Sequence, residues 1–292
     1  MPPAEPIDEI RSWVAARVRA GIAGPPEQAD TRRAALAAPG PRWFEPDAAI
    51  CRVHADSAMF VGGLRALLLQ SLHPLAMAGV AEHSDYRTDP WGRLQRTADF
   101  LAATTYGPVA EAERAVARVR AVHERVRGTA PDGRPYRADD PHLLRWVHVV
   151  EVDSFLTAHR RYGAAALTDA EADTYVAQAA VVARALGIPA PPTSVAGLRD
   201  QLRAFRPELA GTHEARQAAR YLLVQPPMHP AARAPYAVLS AAAVSLLQRW
   251  ARAPLRLPWM PVFENVAVQP AGDALTRTLR WALGPPPERA RH

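Results

Sequence analysis

Apolar residues along this chain recur mostly at intervals of three and four, and a proline or glycine closes most of the apolar runs. That period lays a hydrophobic stripe along one face of an α-helix. Ile7 to Ile22 reads as a short amphipathic helix stopped by Gly24-Pro25-Pro26, and a proline-rich connector follows around Pro39 to Pro46. Ala58 to Leu72 reads as a second apolar helix. His73-Pro74 should end or kink it, because the residue before a proline avoids helical backbone angles. Asp89-Pro90 and Asp140-Pro141 each pair an aspartate N-cap with proline at the first helical position. Val109 to Arg127 carries Val116, Val119, Val122 or His123, and Val126 on one stripe and closes at Gly128. Thr129 to Arg137, around Pro131-Asp132-Gly133, reads as a loop. Thr168 with Glu171 forms a capping box for a helix to Leu186, stopped by Gly187 and Pro189. Further helices are predicted over Val195–Phe205, Glu214–Val224, Tyr236–Trp250 and Ala271–Leu283, and only Val262 to Val268 alternates as a strand does. No internal repeat is visible. The pattern predicts an all-α, single-domain multi-helix bundle. Residues 1–54 form an N-terminal helix and connector, 55–258 the main helical domain, and 259–292 a C-terminal helix and tail packed on it.

Composition narrows the function classes. At 292 residues and 49% apolar, the chain can bury a large core. Its net charge of +6 comes from 35 basic and 29 acidic residues, and every basic residue is arginine. The arginines form no run and no stripe interleaved with aromatics, so no nucleic-acid surface is expected. The one cysteine, Cys51, excludes an internal disulfide and any cysteine-rich metal site. It also suits a reducing compartment. The opening MPPAEPIDEIRSW lacks the basic start and apolar core of a signal peptide. Ala58 to Ala81, the longest apolar tract, is interrupted by Arg65, His73 and Pro74 and is not expected to span a bilayer. A cytoplasmic location is the expectation. GxSxG, Walker, HExxH and GxGxxG motifs are missing from the sequence, as are paired ExxH elements of a di-iron bundle.

Candidate chemistry gathers in the first half. His73 to Thr97, HPLAMAGVAEHSDYRTDPWGRLQRT, ends with Arg93, Arg96 and Thr97 at i, i+3 and i+4, on one helix face that Phe100 and Leu101 continue into apolar territory. His123 in VRAVHERVRG follows its valines inward. His148 in RWVHVVEVDSF shares a face with Leu144, Glu151, Val152 and Phe155. An inward histidine is commonly a satisfied core residue, yet neutral imidazole in an apolar wall is also what haem iron requires. His148 with Glu151 has the spacing of a second pair behind a ligand or of half a metal site. Glu82-His83-Ser84-Asp85 is a loop-like stretch in which a turn role and an acid–base role are equally open.

These segments, with GRPYRADDPHLLRWVHVVEVDSFL and the Glu171 to Pro189 region, resemble the MpaB/MpaB′/rubber oxygenase catalytic-domain family over roughly Ala55 to Pro258. The resemblance implies an all-α fold with a haem-sized apolar pocket, one b-type haem, and use of O2 on a hydrophobic substrate. It makes His123 the proximal ligand to the iron. Arg93 and Thr97 match the arginine and threonine of the R-x-x-K-T cluster of rubber oxygenases, with Arg96 in place of the lysine. Lysine can lose its proton and ligate iron; arginine stays protonated, so a lysine-capped closed state is not expected. Glu82 is the nearest match to the catalytic glutamate, at a different spacing from Arg93.

The sequence therefore predicts a haem-b-dependent oxygenase or related oxidoreductase acting on a hydrophobic small molecule with O2. His123 would hold the iron, and Arg93 and His148 would line the cofactor. Arg93, Arg96, Thr97 and Glu82 would serve the reaction. Two other readings stand beside it: non-haem iron held by His123, His148, Glu151 and His83, and an all-α binding protein without catalysis.

Overall fold

The computed structural model describes residues 26–84, 88–225 and 227–284; the helix predicted over Ile7 to Ile22 lies outside them. The all-α expectation holds. In order, the chain forms α1 (Pro26–Ala37), α2 (Ala49–Ala55), α3 (Ala58–Gln70), α4 (Pro74–His83), α5 (Pro90–Tyr106) and α6 (Val109–His123). A two-stranded ribbon, β1 (Arg127–Thr129) and β2 (Pro135–Arg137), precedes α7 (Pro141–Tyr162), α8 (Asp169–Ala185) and α9 (Val195–Phe205). A 3₁₀ turn (Arg206–Glu208) leads to α10 (His213–Val224), α11 (Pro230–Ser245), α12 (Arg249–Leu255), the single turn α13 (Pro261–Phe263), a π-helical turn (Glu264–Val268) and α14 (Gln269–Leu283).

Local chemistry sets the boundaries. Asp89 Oδ1 accepts from Gly92 N at 2.9 Å and Asp140 Oδ1 from His142 N at 2.8 Å, with proline at the next position in each case. Those caps satisfy amides that the first turn leaves without partners. Thr168 and Glu171 form the reciprocal capping box. At Pro74 the chain bends 106° between α3 and α4. No single described helix is long and apolar enough to cross a membrane, although the bent pair α3–α4 would pass by length and composition.

The centre of the molecule is the pairing of α3 with α7. Trp146 is fully buried on α7 and donates from Nε1 to Gln70 O at 3.3 Å. Near the other end of α3, a Cβ at Gly62 would lie 3.0 Å from Phe155 Cδ1 and 3.1 Å from Ser154 O, so glycine permits the close approach. Arg65, 2% exposed, bridges the pair: Nη1 donates to Ser154 Oγ at 2.7 Å and Nη2 meets Asp153 Oδ2 at 2.8 Å. Around this axis α2 packs on α8, α9 on α7, and α11 on α3 and α14, enclosing Ile50, Leu68, Leu69, Tyr175, Leu198 and Leu247. The helices α5 and α6 form a hairpin joined only by Gly107 and Pro108.

Three local expectations are corrected. The stretch Thr129 to Arg137 is not all loop: Gly128 faces Tyr136 in an antiparallel ribbon that turns through Gly133 at φ +86°. Its arms are three residues long, too short for alternation to register. Val262 to Val268 is helical, turning through the π segment into α14. Glu264 on that turn bonds Arg252, which is 1% exposed, and accepts from Met260 N at 3.1 Å, so a buried ion pair and a cap override the alternation. The single helix predicted over Tyr236 to Trp250 is two, α11 and α12, broken at Leu246 to Gln248.

Candidate functional site

The residues singled out in the sequence fall into two neighbourhoods. The first is a corner made by the end of α4, the start of α5, the end of α6 and the β-ribbon. Arg93, half-buried on α5, donates from Nη1 to Ser84 Oγ at 2.7 Å and so ties α5 to the residue after α4. Tyr136 Oη donates to Glu82 on the last turn of α4, and His83 Nε2 is 3.9 Å from the same carboxylate. Burial first, then the Glu82 carboxylate, pushes the Tyr136 phenol up to about 12. Val126, one turn beyond His123, packs in a small cluster with Ala78, Tyr136 and Leu143. His123, the last residue of α6, is half-buried and has no hydrogen-bond partner for its ring among the described residues. Burial holds its pKa below the ordinary histidine value, opposed by the charge of Asp139, so the ring is neutral at pH 7.

Two predicted members stand at the rim. Arg96 is exposed and pairs with Asp89 Oδ2 at 3.2 Å, while Thr97 is exposed and spends its hydroxyl on Arg93 O at 3.0 Å, the usual back-bond of a helical threonine.

The second neighbourhood is the interior face of α7. Its members are His148 and, one turn on, Glu151, both half-buried. Burial pushes His148 down to about 4 and Glu151 up to about 7. His148 Nε2 is buried without a hydrogen-bond partner among the described residues. Unsatisfied buried polar atoms of this kind are costly and rare in a finished core. Beside them Phe155 packs on Gly62, while a Cβ at the next residue, Gly63, would meet nothing within 4 Å.

Sequence reasoning missed two groups. His54 on α2 is the first: its Nδ1 pairs with Thr105 Oγ1 at 2.8 Å, its Nε2 lies 3.4 Å from Tyr175 Oη, and Phe155 meets it edge-on at 5.5 Å. Burial drives its pKa down to about 3. In the sequence it is one histidine in CRVHAD, and its partners come from α5, α7 and α8. The second comprises His73, His142 and Glu208, whose ligand atoms lie within 4.8 Å of one another. They are 66 or more residues apart in part, so no spacing motif could have announced them.

Residues 51–281 match the family model for the catalytic domain of the ER-bound oxygenase mpaB/B′ and rubber oxygenase. The match spans well over half of the chain, and the protein belongs to that family. No curated protein and no solved structure matches it.

Proposed function

We propose that the protein is a haem-b-dependent oxygenase that acts with O2 on a hydrophobic small molecule in the cytoplasm. Family membership supports oxygenase chemistry. The observation that carries the haem assignment is the presence of two imidazoles without ring hydrogen bonds among the described residues, His148, whose Nε2 is buried, and the half-buried His123, both held neutral by burial. An unprotonated ring nitrogen is what an iron ligand must offer. His123 would hold the iron. His148 would face the cofactor from α7. The haem, when bound, would supply a redox-active iron for dioxygen chemistry.

The chain's own residues supply the rest. Arg93 is a fixed cation, oriented by Ser84, suited to a propionate or to an anionic oxygen. Arg96 adds positive charge at the rim, and Thr97 braces Arg93 through its carbonyl. Glu82, held by Tyr136, can accept a proton at the mouth of the corner. Glu151, with a pKa near 7, can hold or release a proton at neutral pH. Leu101, Val147 and Phe155 provide apolar walls that exclude water and favour a hydrophobic substrate.

Titration of the purified chain with haemin tests the assignment. The wild type should take up about one haem per chain and develop a Soret band, and His123→Ala should lose most of that binding. His148→Ala should retain haem with an altered spectrum. The reverse pattern would move the ligand to His148. The placing of His148 and Glu151 one turn apart on α7 favours one other reading, a non-haem iron centre, which would show stoichiometric iron and no Soret band.

A further inference from the structure

His73, His142 and Glu208 come from three places in the fold. His73 is the residue at the 106° bend between α3 and α4, His142 lies in the first turn of α7, and Glu208 ends the 3₁₀ turn after α9. His73 is 1% exposed and its Nε2 is buried with no hydrogen-bond partner. That nitrogen lies 3.4 Å from Glu208 Oε2, and His142 Nε2 lies 2.8 Å from the same oxygen and 3.0 Å from Oε1. Phe205 walls the group on one side, its ring centroid 4.7 Å from His142 and 6.4 Å from His73.

From this geometry we infer that His73, His142 and Glu208 form a binding site for a divalent transition-metal ion, Zn²⁺ above all, separate from the residues of the proposed oxygenase site. Two imidazoles and a carboxylate are a standard zinc donor set, with a fourth position left to water. Ligand atoms on a tetrahedral zinc are about 3.4 Å apart, since each bond is about 2.1 Å. The His73–Glu208 separation already has that value, and the His142–Glu208 hydrogen bond would open by about half an ångström to admit the ion. Without an ion, His73 Nε2 has only its long 3.4 Å approach to Glu208 Oε2; an ion would give that buried nitrogen a firm partner.

Ligation through Nε2 requires the ring proton on Nδ1. That tautomer gives up the 3.5 Å contact in which Nδ1 accepts from Ala76 N and turns a ring N–H toward that amide, so the ring would have to shift slightly as the ion binds. Aromatic neighbours Trp146 and Phe205 fix the His73 ring at 6.2 and 6.4 Å. His142 and Glu208 are exposed, so an arriving ion can reach them from solvent. The bound metal would tie the α3–α4 bend to α7 and to the end of α9, elements far apart in sequence.

The test uses the tag-free full chain, stripped with chelator, titrated with Zn²⁺ by calorimetry and with Co²⁺ by visible absorption. The expected result is one Zn²⁺ per chain at micromolar affinity or tighter, a rise in Tm with Zn²⁺, and Co²⁺ bands of four-coordinate intensity. Because His142 and Glu208 are exposed, His142→Ala and Glu208→Gln should fold normally. Each should weaken Zn²⁺ binding at least tenfold while leaving haemin uptake unchanged. No stoichiometric Zn²⁺ binding by the wild type, or equal binding by both variants, overturns the site. Failure of haemin to bind would bear on the oxygenase reading and not on this one.

Discussion

The environment of Glu151 opposes its usual chemistry. A carboxyl raised from 4.5 to about 7 by burial favours its protonated form in the fold. Its contribution to stability is therefore fully present below pH 4.5 and is lost as pH rises through about 7. Glu151→Gln removes that loss. Unfolding by denaturant should show the variant more stable than wild type at pH 8, by up to about 3 kcal/mol, and little different at pH 5. An equal offset at both pH values would contradict the assignment. The buried imidazoles act with the opposite slope. His148 and His54, lowered to about 4 and about 3, contribute stability present above pH 6.5 and lost as pH falls through those values. His148→Phe should flatten the acid limb of the wild-type stability profile between pH 6.5 and 4. An unchanged acid limb would mean that the ring is not held neutral by the fold.

At the scale of elements, the α3–α7 pairing is tested by two neighbouring glycines with opposite expectations. Gly62→Ala drives a methyl to 3.1 Å from the Phe155 Cα and the Ser154 carbonyl, both backbone atoms that cannot swing aside. It should cost about 1–3 kcal/mol. Gly63→Ala meets open space in a helix interior and should be neutral or stabilising by up to about 1 kcal/mol. A thermal melt of each, without added haem, separates them; similar losses at both positions would mean that the gap beside Gly63 is not there. Helix starts were legible because the signals are local: Asp89, Asp140 and Thr168 each cap with their own side chain. What escaped was set by partners distant in sequence. The ribbon depends on Tyr136 reaching Glu82, and the π turn depends on Arg252 holding Glu264. Candidate residues divide the same way. Arg93, Arg96, Thr97 and His123 stand out by helical spacing, whereas His54 and the His73–His142–Glu208 group exist only once α2, α5, α7, α8 and the turn after α9 are packed together.

For the whole molecule, the arrangement joins a helical core fixed by α3 and α7 to a polar corner built from α4, α5, α6 and the ribbon. The buried Arg65 and Arg252 are fully engaged, whereas His148 Nε2 is buried without a partner among the described residues. The proposed haem would lie against that nitrogen. Pyridine haemochrome and iron analysis of protein expressed with ample haem supply tests it most directly. The account predicts about one b-type haem and one haem iron per chain. Protein that is haem-free as purified, and stays so after incubation with haemin, would contradict it.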